Sequence, residues 1–190
     1  MVVKTIEMRS VLISGACAAF LSVSPVYSGE TDQALRFAIA ETAETHTQEA
    51  HEHGKAELLI AWNTKELSLE FRSPIFNLTG SMSKMHDHEF VEERIKQLTN
   101  LESLLVFNQE AGCNLQEVST QEREAHEEEH RDLTLNAKYS CEDFASLKSI
   151  NAAKMFSVFP ALEKIEASWI SPVMQSSGVL STSKFEVNLN

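Results

Sequence analysis

The sequence predicts an α+β fold with antiparallel sheet, two or more packed helices and one disulfide-clamped hairpin. Apolar and polar residues alternate strictly from Leu133 to Cys141, which is the period of a strand with one buried face. Apolar residues recur at spacings of three and four over residues 88–105, which indicates an amphipathic helix. The predicted strands outnumber the helices and their connections are local, and this combination favours antiparallel pairing.

The first 28 residues read as a secretory signal peptide. Basic residues precede an almost wholly apolar run over 11–23, and Val26 and Ser28 are small residues at the −3 and −1 positions of a cut after Ser28. The run is too short for a convincing membrane span. A lipoprotein cut before Cys17 is the weaker alternative, because half of the apolar run would follow it. We therefore expect residues 1–28 to direct export.

The charge of the chain excludes several classes of function. Its formal net charge is −12, and removal of a leader that carries Lys4, Arg9 and Glu7 brings it near −13. Such a surface repels nucleic acid and anionic membranes and attracts cations. The chain also has no basic patch, no second hydrophobic span and no phosphate-binding glycine loop. We expect no nucleic-acid partner, no nucleotide and no membrane insertion after cleavage.

The remaining chain is long enough for one domain with a real core. Residues 29–50 are polar with little periodicity and predict a flexible arm, and residues 51–190 form the domain. Pro74 ends the second strand, because proline cannot continue a central ladder. In chain order we expect strands over 55–62 and 66–72, a helix over 88–105, strands over 113–118 and 133–141, a short strand or turn and a helix within 147–159, and strands over 161–170, 179–180 and 185–189.

Loss of Cys17 with the leader leaves Cys113 and Cys141. An even pair in an exported protein predicts a disulfide, and two buried free thiols are the alternative. Zinc thiolate ligation is disfavoured because the chain has no CxxC pair. If the two cysteines face each other across a hairpin, its centre falls near position 127. The far tip of that hairpin would then carry His126 and His130.

The histidines are the strongest chemical signal in the sequence. All seven lie in polar segments, in three groups mixed with carboxylates: His46, His51, His53, His86, His88, His126 and His130. Neutral imidazole is the commonest protein ligand for zinc, nickel and copper. His126 and His130 are four residues apart, which is the spacing of a shared helix face. His51 with His53, and His86 with His88, are two residues apart, which is the spacing of a shared strand face.

We predict those six histidines as metal ligands. Each pair supplies two ligands, so a closed site of four requires two pairs to meet, or one pair with a carboxylate or water. Zinc is preferred over copper because no methionine-rich stretch or free cysteine accompanies the histidines, and nickel is a further alternative. The competing interpretation is that histidines in acidic loops are only solvated surface.

One segment also matches a zinc-hydrolase pattern. His126-Glu127-x-x-His130 has the form H-E-x-x-H, in which two histidines bind zinc and the glutamate activates water. In such enzymes an apolar helix face backs the site, whereas Ala125 is the only apolar residue between Val118 and Leu133. The expected third ligand is also missing. We predict that the protein is not an enzyme and keep an exported zinc-dependent hydrolase as an alternative.

Several short motifs in a fixed order resemble the family of zinc-regulated periplasmic zinc-binding proteins typified by ZrgA, over residues 51–190. The motifs are His51-x-His53-Gly54-x-Ala56-Glu57-Leu58, Ser73-Pro74, Asn77-Leu78-x-Gly80, Gly112-Cys113, Tyr139-x-Cys141, Leu147-Lys148-Ser149, Phe156-x-x-Phe159-Pro160, Trp169-Ile170-x-Pro172 and Leu180-Ser181-Thr182.

The resemblance implies a bacterial periplasmic protein that binds zinc and assists a high-affinity zinc ABC importer, with that importer's solute-binding protein as its partner. It also implies a histidine-rich, flexible insertion between the cysteines, which matches a mobile His/Glu loop over residues 119–132 here. The chain departs from the family pattern Gly-Phe-Glu-His-x-Pro, because after Gly80 its histidines come only at His86 and His88. The insertion carries only two histidines, which predicts fewer zinc ions. The alternatives are the hydrolase and a non-metal interaction domain.

Overall fold

The computed structural model describes residues 52–124 and 131–189. The predicted signal peptide and arm, His51 and the residues 125–130 lie outside the described part, so the expectations for them stay predictions. Within the described part, no helix is both long enough and apolar enough to cross a bilayer.

The described chain contains nine strands and five short helices. The strands are β1 (Lys55–Trp62), β2 (Leu67–Pro74), β3 (Val106–Phe107), β4 (Cys113–Glu124), β5 (Arg131–Cys141), β6 (Ser149–Asn151), β7 (Lys164–Ser171), β8 (Met174–Ser181) and β9 (Glu186–Asn188). The helices are α1 (Ile75–Thr79), α2 (Met82–Met85), α3 (His88–Thr99), α4 (Leu101–Leu104) and α5 (Ala153–Val158).

The strands form two sheets, and the predicted α+β class is confirmed. The larger sheet has the order β4-β5-β2-β1-β7-β8, and the smaller has the order β3-β6-β9. Every pairing is antiparallel except that of β1 with β7, which is parallel. The larger sheet is therefore mixed. Its one parallel pair arises because β1 and β7 both start at the same end of the sheet.

The hairpin of β4 and β5 contains the predicted disulfide. Cys113 and Cys141 are directly opposite in the ladder and are bonded across a separation of 28 residues. In the chain-entropy account, closing a loop of that length stabilises the fold by about 3 kcal/mol. A register shift between Leu115 and Glu117 leaves Gln116 as a bulge residue. The bond confirms the predicted disulfide and excludes the alternative of two buried free thiols.

The predicted loop over 119–132 is wrong in its boundaries. Residues 119–124 belong to β4, residues 131–132 belong to β5, and the last pair is Glu124 with Arg131. The stretch is polar because β4 is an edge strand with exposed side chains, and its ladder to β5 does not require apolar residues. The connection between the two strands is therefore six residues long.

The predicted long helix over 88–105 is also divided. It ends at Thr99, a second short helix begins at Leu101, and the next residues enter β3. Asp87 caps the start of the helix, because its side chain accepts a hydrogen bond from the Phe90 amide at 3.1 Å. Both helices pack inside the same core, where Leu98 and Leu101 are fully buried.

One face of the larger sheet packs against the helices and the smaller sheet to form a single core. Phe71 from β2 and Phe159 after α5 are its largest fully buried side chains. The ring of Phe107 meets Tyr139 edge to face at 5.2 Å, which joins the smaller sheet to β5. Burial raises the pKa of Tyr139 well above its usual range.

Arg94 joins three helices on this side of the sheet. Its guanidinium donates to the carbonyl oxygens of Leu78 in α1 and Val158 in α5, each at 2.7 Å. It also lies over the ring of Phe159 at 4.5 Å. Burial lowers the pKa of Arg94, but an arginine stays charged.

We predict that Arg94→Met lowers the free energy of unfolding by about 2–3 kcal/mol, because two carbonyl oxygens lose a charged donor. Lys96→Met, on the exposed side of the same helix, is the matched control and should change it by less than about 0.5 kcal/mol. Urea denaturation at unchanged m-value measures both. Equal effects of the two substitutions would contradict this role of Arg94.

Candidate metal centre

The described histidines, His53, His86 and His88, lie at one end of the larger sheet, which we call the histidine end. The strands β1, β5 and β7 begin there, and β2, β4 and β8 end there. His53 precedes β1, the six-residue connection 125–130 joins β4 to β5, and His86 and His88 follow β2. The pairs that define this end are Lys55 with Lys164, Pro74 with Asp132, and Glu124 with Arg131.

His53 lies in a turn, so the prediction that it shares a strand face with His51 is wrong for His53. The strand begins only at Lys55 because Gly54 adopts a positive φ of 86°. Buried Asn77 fixes this turn by accepting from the Gly54 amide at 2.7 Å and donating to the Lys55 carbonyl at 2.6 Å. The turn that presents His53 is therefore anchored to the core.

Two further side chains surround this turn. The exposed ring of His53 stacks on Phe76 of α1, with 4.0 Å between ring centroids and 10° between planes. The side chain of Glu163 fills the space beside Gly54, where a Cβ would come within 3.2 Å of its Cδ atom. The Glu163 and Lys164 amides both donate to the Gly54 carbonyl. Glu163 is thus a carboxylate next to the turn of His53 that the sequence analysis missed, since 109 residues of chain lie between them.

His86 and His88 do not share a strand face either. His86 caps the C-terminus of α2, and His88 is the first residue of α3, because Asp87 between them begins that helix. Both imidazoles are exposed. The four-residue spacing to Glu92 puts that exposed carboxylate on the same helix face as His88. Glu92 is a second candidate metal ligand that the sequence analysis missed, although its spacing from His88 alone could have indicated it.

Arg131 connects this helix corner to the hairpin. Its Nη1 atom donates to the carbonyl oxygen of Met85 at 2.9 Å, and its Nη2 atom pairs with the carboxylate of Glu122 on β4. Met85 immediately precedes His86, and Arg131 immediately follows His130. Two of the predicted pairs therefore belong to segments whose neighbouring residues are in direct contact.

A second contact fixes the helices along β4. The carboxylate of Glu102 in α4 accepts from the Leu115 amide at 2.7 Å. From His88 to Glu102 the helical rise is about 21 Å, and from Leu115 to Glu122 the strand rise is about 23 Å. The helices therefore run beside β4 over most of its length, from the histidine end towards the disulfide.

The described residues alone do not form a complete ligand set. Among residues 52–124 and 131–189, no group of three or more histidine, cysteine, aspartate or glutamate side chains is close enough to hold a metal ion. His51, His126 and His130 lie outside the described residues. The disulfide removes Cys113 and Cys141 from the possible ligands. The prediction of six ligands therefore stays a prediction.

The Asn77-Leu78-Thr79 sequon is not available for glycosylation in the folded protein. Asn77 is fully buried, and in addition to its bonds to the turn its amide donates to the Ser73 hydroxyl at 3.0 Å. A glycan on that nitrogen would displace the donor bonds and could not fit in the core. Asn77 therefore has a structural role, because it holds the turn that contains His53 and Gly54.

The family comparison gives a match over nearly the whole described chain. A family model described as "ZrgA family zinc uptake protein" matches residues 50–189. No curated protein matches the chain at a significant level.

We predict that Gly54→Ala lowers the free energy of unfolding more than Gly80→Ala does. Both positions have positive φ, which costs an alanine about 1–2 kcal/mol, but a Cβ at Gly80 meets only Ala161 at 3.7 Å. The tighter contact with Glu163 should add about 1 kcal/mol at Gly54.

Adding Glu163→Ala to Gly54→Ala should remove that difference. Urea denaturation of wild type, Gly54→Ala, Glu163→Ala and the double variant measures the coupling as a double-mutant cycle. Equal costs at the two glycines, or no coupling to Glu163, would contradict the contact.

Proposed function

The chain belongs to the ZrgA family of zinc uptake proteins, and from that premise we propose that it is a periplasmic zinc-binding protein. It captures zinc at the histidine end and hands it to a zinc ABC importer. Zinc is cargo in this role, and no catalytic step is required. The negative charge of the chain raises the local concentration of divalent cations around it.

The contact between Arg131 and Met85 is the observation that carries this proposal. It holds the base of the β4–β5 connection against the corner that bears His86 and His88. Because His130 is bonded to Arg131, its Cα lies about 3.8 Å from that of Arg131. His86 and His88 at the helix corner (the body pair) and His126 and His130 between β4 and β5 (the tip pair) then supply the four ligands that zinc usually takes in a closed site.

The division of the proposed ligands between two segments of the chain suits a protein that passes zinc to a partner. His86 and His88 belong to a helix corner fixed by Asp87, whereas His126 and His130 belong to the six-residue connection. A site whose ligands come from two segments pays for bringing them together, which lowers its affinity and eases release to a partner. The solute-binding protein of the importer is the expected acceptor.

His51 and His53 form a separate two-histidine position at the other side of the histidine end. The turn at Gly54 and the stack on Phe76 fix His53, and Glu163 adds a carboxylate beside the turn. Two imidazoles with one carboxylate make a weaker, open site than four protein ligands. We assign it an accessory role in collecting zinc.

The hydrolase alternative rests on His126-Glu127-x-x-His130. The strands β4 and β5 end and begin at Glu124 and Arg131, which leaves six residues for the motif. Six residues are less than two helical turns, and they contain no large apolar side chain to exclude water from a catalytic zinc. The carrier role is therefore favoured over the enzyme.

We predict that zinc calorimetry resolves a shared site. His86→Ala/His88→Ala and His126→Ala/His130→Ala should each weaken the tightest binding by at least about 100-fold, because each removes half of its ligands. Combining both pairs should weaken it little further. His51→Ala/His53→Ala should affect only a weaker step, and His46→Ala is the matched control.

If the losses of zinc-binding free energy from the two double substitutions are additive, the two histidine pairs form independent sites. That result would contradict the proposed site shared by both pairs. No zinc uptake by the wild-type protein would remove metal capture altogether and favour a non-metal interaction domain.

Glu127→Gln separates carrier from enzyme. In a carrier this substitution leaves zinc affinity within about 3-fold of wild type, because the glutamate is not one of the predicted ligands, and neither protein hydrolyses peptide or ester substrates. Zinc-dependent hydrolysis by the wild type that disappears in Glu127→Gln would establish the enzyme instead.

A further inference from the structure

The two edges of the larger sheet differ in their protection. The edge strand β4 carries a bulge at Gln116, and the carboxylate of Glu102 accepts the outward amide of Leu115 at 2.7 Å. Its side chains include the charged residues Glu117, Glu122 and Arg123. Bulges, charges and covering helices are the devices by which proteins prevent a strand edge from pairing with another chain.

The opposite edge strand, β8, has none of these devices. It pairs with β7 in unbroken register from Met174 to Ser181, and no other strand of the described residues pairs with it. No hydrogen bond to the outer backbone groups of residues 175–180 comes from the described chain. Residues 167–183 contain no charged side chain, although 23% of the whole sequence is charged. Within residues 52–124 and 131–189, this edge is regular, uncharged and open.

We propose that β8 pairs antiparallel with β8 of a second copy of this chain, so that two sheets join into one across a two-fold axis. In such an arrangement each strand meets its own sequence in the opposite direction, and the same surface serves both copies. Each β8 then satisfies the outer amide and carbonyl groups of the other.

Charge favours a second copy at this edge. Two chains that each carry a net charge of −12 repel each other over most of their surfaces. The uninterrupted neutral segment around β8 is where they can approach at close range. Val173 and Val179, which are 91% and 40% exposed, lie at this edge and would lose exposed apolar surface on pairing.

The side chains of β8 also favour its own sequence over a foreign peptide. Ser176 and Ser177 have small side chains and Gly178 has none, whereas strand addition obtains its specificity from pockets for alternate side chains. Main-chain pairing with an identical strand requires no such pocket. One eight-residue edge is a small interface, so we expect association in the micromolar range or weaker.

The test is sedimentation equilibrium of the purified protein with EDTA, over about 0.01–0.5 mM, which spans that affinity range. Wild type should shift from one chain to two as concentration rises. Ser177→Glu and Ser177→Lys should each stay monomeric through like-charge repulsion, whereas their equimolar mixture should regain the dimer. Ser119→Glu, the same change on the protected edge strand β4, should dimerise as wild type does.

Hydrogen exchange identifies the surface independently. Amides within Met174–Ser181 should exchange more slowly at high concentration in wild type and at the same rate at all concentrations in Ser177→Glu. A wild type that remains monomeric at 0.5 mM, a dimer that survives both Ser177 variants, or β8 protection independent of concentration would each overturn the proposal. The last result would assign the edge to another segment of the same chain. None of these outcomes depends on zinc binding.

Discussion

The side chain of Arg131 is the interaction on which the arrangement of the histidine end depends. It ties the start of β5 to the Met85 carbonyl and to Glu122, and so joins the hairpin, its edge strand and the helix corner. A guanidinium keeps its charge across physiological pH and offers several donors in fixed geometry, which suits a permanent junction of this kind. Its Nε atom is buried and has no hydrogen-bond partner among the described residues.

The same junction determines how the helices lie. With Met85 fixed at one end of β4 and Glu102 bonded to Leu115 towards the other, the helices from α2 to α4 follow this strand and cover its edge. One edge of the sheet is therefore closed by the element that also carries His86 and His88. Protection of a sheet edge and presentation of the two proposed zinc ligands on this element are two results of one packing arrangement.

The sequence predicted those features that local patterns determine. The strand from Leu133 to Cys141 and the disulfide were predicted correctly, because half-buried strands and paired cysteines can be recognised in the sequence itself. The strand over 119–124 was missed because an exposed edge strand needs no apolar alternation.

The candidate site was less predictable for the same reason. From spacing alone, His53 was expected to share a strand face with His51, and His86 with His88, whereas Asn77 and Asp87 place His53 in a turn and His86 at a helix corner. Contacts such as Arg131 with Met85 cross 46 residues and have no sequence signature.

The burial of Asn77 has a consequence for production of the protein in eukaryotic cells. Oligosaccharide transfer to a sequon occurs while the chain enters the secretory pathway, before Asn77 is enclosed. A glycan attached then would occupy the amide nitrogen that donates to the Lys55 carbonyl and the Ser73 hydroxyl. The start of β1 and the end of β2 could then not pack against α1. The same three residues that are harmless in a host without this modification would block folding in one that performs it.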